Sequence, residues 1–167
     1  MIVWLNGPFG GGNTTLAAGL CRSLPGAMVA DPKAVGDLLR STLAGHALRF
    51  RDYEDPPLWR QLTGVFVAGP VRHAGGPVIV PMTVLNPGYT EEIFTRLRQA
   101  GGFRVAVRAY RRRRAPDYHR AASDWMHANG HVIDISALTP EQALHTALDH
   151  LHLTAPARPR PPETPEA

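Results

Sequence analysis

Short apolar runs alternate with amphipathic helical patterns along most of this 167-residue chain. Apolar runs bounded by turn residues are typical of buried strands, whereas apolar positions three and four residues apart indicate helices. The runs predict five strands, at residues 2–5, 27–30, 77–81, 103–107 and 131–135. The helical patterns predict helices near residues 16–24, 31–43, 58–71, 86–100 and 140–152. This alternation, with short links, indicates an α/β fold with a parallel, doubly wound sheet and helices on both faces.

Several predicted helices carry start or stop signals. Asn86-Pro87 can cap and open the fourth helix, and Gly101-Gly102 ends it. Residues 139–142, Thr-Pro-Glu-Gln, have the form of a capping box with proline at the first helical position. We predict a single domain over residues 1–153, and a disordered tail over residues 154–167 because that segment is rich in Pro, Arg and Glu.

A glycine-rich segment, Gly7-Pro-Phe-Gly-Gly-Gly-Asn-Thr14, directly follows the first predicted strand. It fits the phosphate-binding P-loop pattern G-x-x-x-x-G-K-[ST] at every fixed position except the lysine, where Asn13 stands. In this pattern, backbone N–H groups at a helix start hold the phosphates, the lysine reaches the β- and γ-phosphates, and the Ser/Thr hydroxyl binds Mg²⁺. A plain glycine turn is the alternative interpretation. The strand before the loop and the helix after it favour the phosphate site.

The loop and the first helical turn thus supply the predicted nucleotide-binding residues, with Thr14 as the Mg²⁺ ligand. The full set is Gly7, Phe9, Gly10, Gly11, Gly12, Asn13, Thr14 and Thr15. Asn13 can donate a neutral hydrogen bond but lacks the ammonium charge that stabilises the transition state. We therefore expect the rate of phosphoryl transfer to suffer more than nucleotide binding.

Composition and charge narrow the class of protein. The chain is 44% apolar and 19% charged, as is ordinary for a soluble globular domain. Its net charge of +4 comes from arginine, because Lys33 is the only lysine, and a modest positive charge suits an anionic ligand. The single cysteine, Cys21, excludes an internal disulfide and is expected to be a buried structural thiol. No apolar run is long enough to span a bilayer and no signal peptide precedes the first strand, so we predict a cytoplasmic protein.

Ligands of such sheets sit at the carboxyl ends of the strands, so the residues that follow each strand are candidate site residues. Asp31 follows the second strand and is either a general base for an acceptor hydroxyl or a helix N-cap, and the two roles are compatible. Thr83 follows the third strand, and it either hydrogen-bonds a substrate or water or is purely structural. Arg40 and Arg60 lie on apolar helical faces and are either solvated or phosphate ligands.

An arginine run, Arg111 to Arg114, forms the densest charge cluster of the chain. One interpretation is an exposed, solvated segment. Another is a short lid in which Arg111 and Arg114 close over the polyphosphate and partly replace the missing lysine. Nucleic acid is an unlikely partner because no aromatic platform accompanies the run. The eight histidines do not have the paired spacing of a metal site, so no metal beyond transient Mg²⁺ is expected.

Taken together, several segments resemble the TmrB-like tunicamycin-resistance proteins, a branch of the P-loop nucleoside and small-molecule kinase-like family. The likeness covers residues 1–107 and returns at 131–151. The segments that carry it are Met1 to Gly10, Asp31-Pro32, Gly36, Leu39-Arg40-Ser41, Pro57 to Arg60, Val80 to Thr83, Glu92-Ile93 and Arg96 to Gln99. The resemblance implies a nucleoside-kinase-like three-layer fold with a five-stranded parallel sheet, ATP in the phosphate loop and protection against a uridine-containing antibiotic.

Carried over by residue, the resemblance implies a nucleotide loop of Gly7, Gly12, Thr14 and Thr15. It also implies an acceptor side lined by Asp31, Arg40 and Thr83. The chain departs from the family at Asn13, and its segment 108–130 is shorter than a full lid-bearing region. The leading hypothesis is an ATP- and Mg²⁺-dependent kinase-like protein acting on a nucleoside-like or small-molecule hydroxyl. The alternative is a relative that binds nucleotide, or sequesters the antibiotic, without chemistry.

Overall fold

A computed structural model describes residues 1–7, 10–46, 50–73, 75–99, 103–110, 131–135 and 137–151 of the chain. In chain order, its strands are β1 (Ile2–Leu5), β2 (Met28–Val29), β3 (Val78–Pro81), β4 (Phe103–Tyr110) and β5 (His131–Asp134). Its helices are α1 (Asn13–Ser23), α2 (Lys33–Thr42), α3 (Pro57–His73), α4 (Pro87–Gln99) and α5 (Pro140–His150). All five predicted strands and all five predicted helices are therefore present.

The strands form one five-stranded sheet in the order β2-β3-β1-β4-β5. Every neighbouring pair is parallel, with β1 at the centre between β3 and β4. The predicted five-stranded parallel sheet is thus confirmed. Two strands differ from their predictions by more than one residue: β2 is two residues long and β4 extends to Tyr110. Strand β2 lies at an edge of the described sheet, pairs with β3, and has exposed side chains.

The side chains of β1 divide the core between the two faces of the sheet, since successive strand residues point to opposite faces. Ile2 and Trp4 pack in one cluster with the buried faces of α2, α3 and α4. Val3 and Leu5 pack in the other cluster with α1 and α5. All four side chains are fully buried. The fold is therefore a three-layer α/β arrangement with helices on both faces, as predicted.

Helix boundaries follow the capping signals of the sequence. The Asn86 side-chain oxygen accepts the backbone N–H groups of Gly88 and Tyr89 at 2.9 and 3.2 Å. Thr139 and Gln142 form the reciprocal capping box at the start of α5. Cys21 is half-buried against the α1/α5 cluster, and its Sγ lies 3.2 Å from the carbonyl of Ala27. In the part of the chain that the structure describes, no helix combines the length and apolarity needed to cross a bilayer.

The carboxyl ends of β1 and β3 create a crevice, because α1 leaves β1 toward one face while α4 follows β3 on the other. Side chains of the β1 segment tie the two ends together. The Trp4 indole N–H donates to the Met82 carbonyl at 2.8 Å. The fully buried Asn6 donates to the Val84 carbonyl at 2.9 Å and accepts the Val84 N–H at 3.3 Å. The crevice therefore has a rigid floor on which the loops after both strands rest.

Candidate functional site

The loop between β1 and α1 depends on two glycines in the left-handed backbone region. Gly10 has φ +72° and Gly12 has φ +89°, a conformation that costs glycine little and other residues much. Among the described residues, no atom lies within 4 Å of where a Cβ would be at either position. The loop therefore requires these glycines for backbone conformation and not for space, as a loop of inward-facing amides does.

The start of α1 is open to an anion. Gly12 is its N-cap, provides no capping side chain, and accepts the Leu16 N–H at 2.9 Å through its carbonyl. No acidic residue occupies the first turn, and Thr14 and Thr15 are exposed there. The first amides of a helix and its dipole attract negative charge when no side chain caps them. The residues present therefore fit a phosphate group, with the Thr14 hydroxyl accessible to a metal ion.

Asn13, Thr83 and Gly7 meet at the base of this loop. The Asn13 side-chain amide donates to the Gly7 carbonyl at 3.1 Å, and the buried Thr83 hydroxyl donates to the same carbonyl. Because a carbonyl only accepts, this contact fixes which way the Asn13 amide points. The Asn13 Oδ1 atom is buried and has no hydrogen-bond partner among the described residues. The structure thus gives Thr83 a structural contact that braces the loop, and its predicted contact with a substrate or water stays a prediction.

Asp31 lies after β2, as predicted, and its carboxylate is engaged by the start of α2. One oxygen accepts the Lys33 backbone N–H at 3.0 Å, and the other lies 3.4 Å from the Lys33 ammonium. This is the contact of a helix-capping residue. Its side chain is still 34% exposed, so the capping role leaves one edge of the carboxylate accessible.

Arg40 holds the loop of residues 50–55, hereafter the 50–55 loop, against α2. Its guanidinium donates to the Arg51 carbonyl at 2.7 Å and stacks on the Tyr53 ring, 3.9 Å from the ring centroid. The Tyr53 hydroxyl donates to Asp37 at 2.5 Å, and this hydrogen bond raises the pKa of the phenol. The Tyr53 ring lies directly over Gly36, where any Cβ would overlap it. Arg40 thus positions this loop, and its place on the acceptor side, which the resemblance implies, stays a prediction.

Arg60 is buried, and its guanidinium donates to other groups of the protein. It pairs with Glu92 at 2.7 Å and donates to the carbonyls of Glu54 and Asp55, each at 2.7 Å. Its guanidinium also stacks on Tyr89, 3.9 Å from the ring centroid. The interpretation of Arg60 as a phosphate ligand is therefore not supported, because its donors already have partners. Arg60 instead fixes the end of the 50–55 loop to α4.

Glu54 is a partly buried glutamate that the sequence analysis did not single out. Burial raises the pKa of its carboxyl group, against a backbone hydrogen bond from Leu85 that lowers it. One carboxylate oxygen, Oε2, is buried without a partner in the described part of the chain. Leu85 is two residues beyond Thr83, so the carboxyl group lies at the same sheet edge as the phosphate loop. No local signal marks Glu54, because a glutamate in a charged loop normally faces water.

Three predicted ligands, Phe9, Arg111 and Arg114, lie outside the described residues. Their roles therefore stay predictions. Within the residues that are described, no group of three or more His, Cys, Asp or Glu side chains is arranged to hold a metal ion. Thr14 remains the proposed Mg²⁺ contact.

Comparison with known proteins relates the fold of this chain to solved structures. No protein-family model and no curated protein matches the sequence. The Deinococcus radiodurans tunicamycin resistance protein superposes with a TM-score of 0.76 at 25% identity, over 93% of this chain and 98% of that one. A Janibacter sugar kinase gives 0.59 at 17% identity, over 91% and 94%. The Mycobacterium tuberculosis APS kinase in complex with AMPPNP and APS gives 0.57 at 14% identity, over 90% and 96%. The chain thus has the P-loop kinase-like fold, and its resemblance to the tunicamycin-resistance proteins is confirmed by structure.

Proposed function

We propose that this protein binds ATP with Mg²⁺ and transfers phosphate to a hydroxyl group of a nucleoside-like small molecule, as an antibiotic-resistance protein. The observation that carries the proposal is the uncapped start of α1 at the crevice between β1 and β3. There, the glycine loop keeps its left-handed turns although its lysine is replaced. Left-handed glycines also occur in plain turns of this protein, as at Gly26 and Gly45, so the proposal rests on the position of the loop between β1 and the uncapped start of α1.

The similar structures support the same class of ligands. One is that of a tunicamycin resistance protein, and another is that of an APS kinase in complex with AMPPNP and APS. A nucleotide and a small molecule are therefore the proposed partners, and nucleic acid is not. We place the protein in the cytoplasm, where ATP is available and where its one cysteine stays reduced.

The residues of the loop and of the neighbouring strand ends then have the following proposed roles. The backbone amides of residues 10–15 hold the phosphates, and the Thr14 hydroxyl binds Mg²⁺. Bound ATP supplies the phosphoryl group, and Mg²⁺ neutralises its charge. Thr83 and Asn13 hold the Gly7 carbonyl and so keep the loop in shape. Asp31 faces the acceptor with the accessible edge of its carboxylate.

A second candidate function is binding without chemistry, and Asn13 favours it. Its amide is neutral and turned back onto Gly7, so it brings no charge to the transferred group. Removal of one preorganised donor from a transition-state site costs about 10²–10³ in rate. The protein would then sequester nucleotide or antibiotic.

Steady-state assays with ATP, Mg²⁺ and either tunicamycin or uridine separate the two functions. We expect a phosphorylated product by mass spectrometry, at a rate above that of buffer. Gly12→Ala should abolish it, because alanine is strained at φ +89°. Gly45→Ala is the matched control, since Gly45 has φ +81° and open space but lies outside the phosphate loop. ATP binding without product would leave only sequestration.

A further inference from the structure

Glu54 is placed at the acceptor side of the crevice by contacts on both of its flanks. On one side, Tyr53 packs over Gly36 and donates to Asp37. On the other, Arg60 donates to the carbonyls of Glu54 and Asp55. These contacts fix the backbone before and after Glu54, so its side chain has little freedom to leave the Leu85 segment.

The carboxylate is nevertheless left without a counterion contact. Arg60 is the nearest candidate, yet it gives its donors to the Glu54 carbonyl and to the Glu92 carboxylate. Among the described residues, the Glu54 carboxyl group accepts a hydrogen bond from the Leu85 backbone, and its Oε2 atom is buried without a partner. A buried unpaired carboxylate oxygen is costly, and such groups persist where a ligand provides the missing donor.

The charges around Glu54 select against an anionic acceptor. Beside burial, the negative charges of Asp55 and Asp52 raise the Glu54 pKa, and the positive charge of Arg60 lowers it to a smaller extent. The basic side chains of the same region contact other residues: Lys33 pairs with Asp31, Arg40 stacks on Tyr53, and Arg60 pairs with Glu92. A phosphate or sulfate group beside Glu54 would thus meet like charge, while a hydroxyl group would supply the donor that Oε2 lacks.

We propose that Glu54 is the residue that binds the acceptor, accepting a hydrogen bond from a hydroxyl group of an uncharged, nucleoside-like compound. The inference rests on the proposed function for the position of the acceptor, but binding by Glu54 needs no nucleotide and no turnover. It moves the main acceptor contact from Asp31, which caps α2, to a residue brought in by the 50–55 loop.

The test is calorimetric titration of nucleotide-free protein with uridine, with tunicamycin and with uridine monophosphate. We expect Glu54→Gln to weaken uridine and tunicamycin binding about 10- to 100-fold, as for the loss of a hydrogen bond to a charged group. Asp55→Asn is the matched control, because it removes a neighbouring charge whose side chain makes no such contact, and it should change affinity about twofold or less. Uridine monophosphate should bind the wild type at least about tenfold more weakly than uridine.

The pH dependence distinguishes binding by Glu54 from a structural role. The ionised carboxylate accepts the hydrogen bond, so affinity of the wild type should rise as pH increases through the raised pKa of Glu54. Glu54→Gln should bind with no such dependence between about pH 5 and 8. Its thermal unfolding should show an intact fold, because the glutamine oxygen still accepts the Leu85 N–H.

Equal affinities of Glu54→Gln and the wild type would overturn the proposal, as would a wild type that binds ATP but neither uridine nor tunicamycin. Stronger binding of uridine monophosphate than of uridine would overturn the choice of an uncharged acceptor. The proposed phosphotransfer can be contradicted independently of the assignment of Glu54. If the same preparation binds uridine through Glu54 but not ATP, the assignment of Glu54 stands and the kinase function does not.

Discussion

The two sides of the crevice are built in different ways. The phosphate side is one short, continuous segment, in which Gly10 and Gly12 set the backbone and Asn13 closes back onto Gly7. The acceptor side is assembled from α2, the 50–55 loop, α3 and α4, and is held by charged side chains such as Arg40 and Arg60. The phosphate side lacks the lysine charge of the P-loop pattern but keeps its glycine backbone. On the acceptor side, the arginines hold the segments in place, and the Glu54 Oε2 atom has no partner among the described residues.

This difference indicates where specificity and rate reside. On the proposed function, the phosphate side would set the affinity for nucleotide and, through Asn13, limit the rate, because backbone amides bind any polyphosphate. The acceptor side would set which hydroxyl compound is held, through the loop that carries Tyr53 and Glu54. Changes on the two sides should therefore have separable effects.

The largest effect is expected from Asn13→Lys. Restoring an ammonium at the β- and γ-phosphates should raise phosphoryl transfer by about 10²–10³, because charge stabilisation grows in the transition state. Nucleotide affinity should change much less. Single-turnover rates measured beside calorimetric affinities check this. Asn13→Gln, which adds length without charge, is the control and should leave the rate low. Equal gains in rate and affinity, or no gain in rate, would show that Asn13 does not limit the rate of phosphoryl transfer.

The next effect should come from Gly36→Ala on the acceptor side. The new Cβ overlaps the Tyr53 ring, so the 50–55 loop must move, at a cost of about 1–3 kcal/mol in the free energy of unfolding. Gly69→Ala in α3 is the control. It meets nothing within 4 Å and should stabilise the protein by up to about 1 kcal/mol through helix propensity. Urea unfolding of both variants measures the difference. A stabilised Gly36→Ala protein would mean that Tyr53 does not anchor the loop.

Thr83→Val tests the brace beneath the phosphate loop. It removes the hydroxyl that donates to the Gly7 carbonyl, and should destabilise the protein by about 1–2 kcal/mol and weaken nucleotide binding. Thr63→Val is a matched control, because the Thr63 hydroxyl is buried without a partner in the described residues. That variant should be neutral or more stable. Similar unfolding free energies for both variants would contradict a bracing role for Thr83.

The smallest effect is expected for a substitution of Glu91, which lies on the exposed face of α4 and belongs to neither side of the crevice. Hydrogen bonds from Arg98 and Thr95 lower the pKa of Glu91 to about 2. Its folded pKa is depressed, so its stabilising contribution is present above its ordinary pKa of 4.5 and is lost as pH falls toward 2. Because the pair is exposed and screened, Glu91→Gln should cost about 0.2–1 kcal/mol at neutral pH and nothing at pH near 2. Thermal unfolding across this pH range, at low and high salt, measures it. A loss that persisted at acidic pH would exclude the ion pair as its cause.

The order of strands and helices could be predicted because local signals agree with the fold. Capping at Asn86 and Thr139 sets helix starts, and the alternation of apolar runs with helical patterns sets the architecture. The glycine loop between β1 and α1 was equally predictable as a structural element, since its glycines act on the backbone of their own segment.

The acceptor side could not be predicted in the same way. Arg60 looks like a free cation in the sequence, and only the folded chain supplies Glu92 and two carbonyls for its donors. Glu54 looks solvated, and its burial depends on Leu85, far away in the chain. Thr83 was found at the correct strand end, but its contact with the Gly7 carbonyl depends on the folded chain. Long-range contacts decide all three roles.

The most direct test of the account is calorimetric titration of the wild-type protein with ATP and with ADP in the presence of Mg²⁺. Asn13 leaves the amide-lined loop intact, so we predict micromolar binding of both nucleotides and its loss in Gly12→Ala. Absence of binding by either nucleotide would contradict the central claim that this loop still holds phosphate.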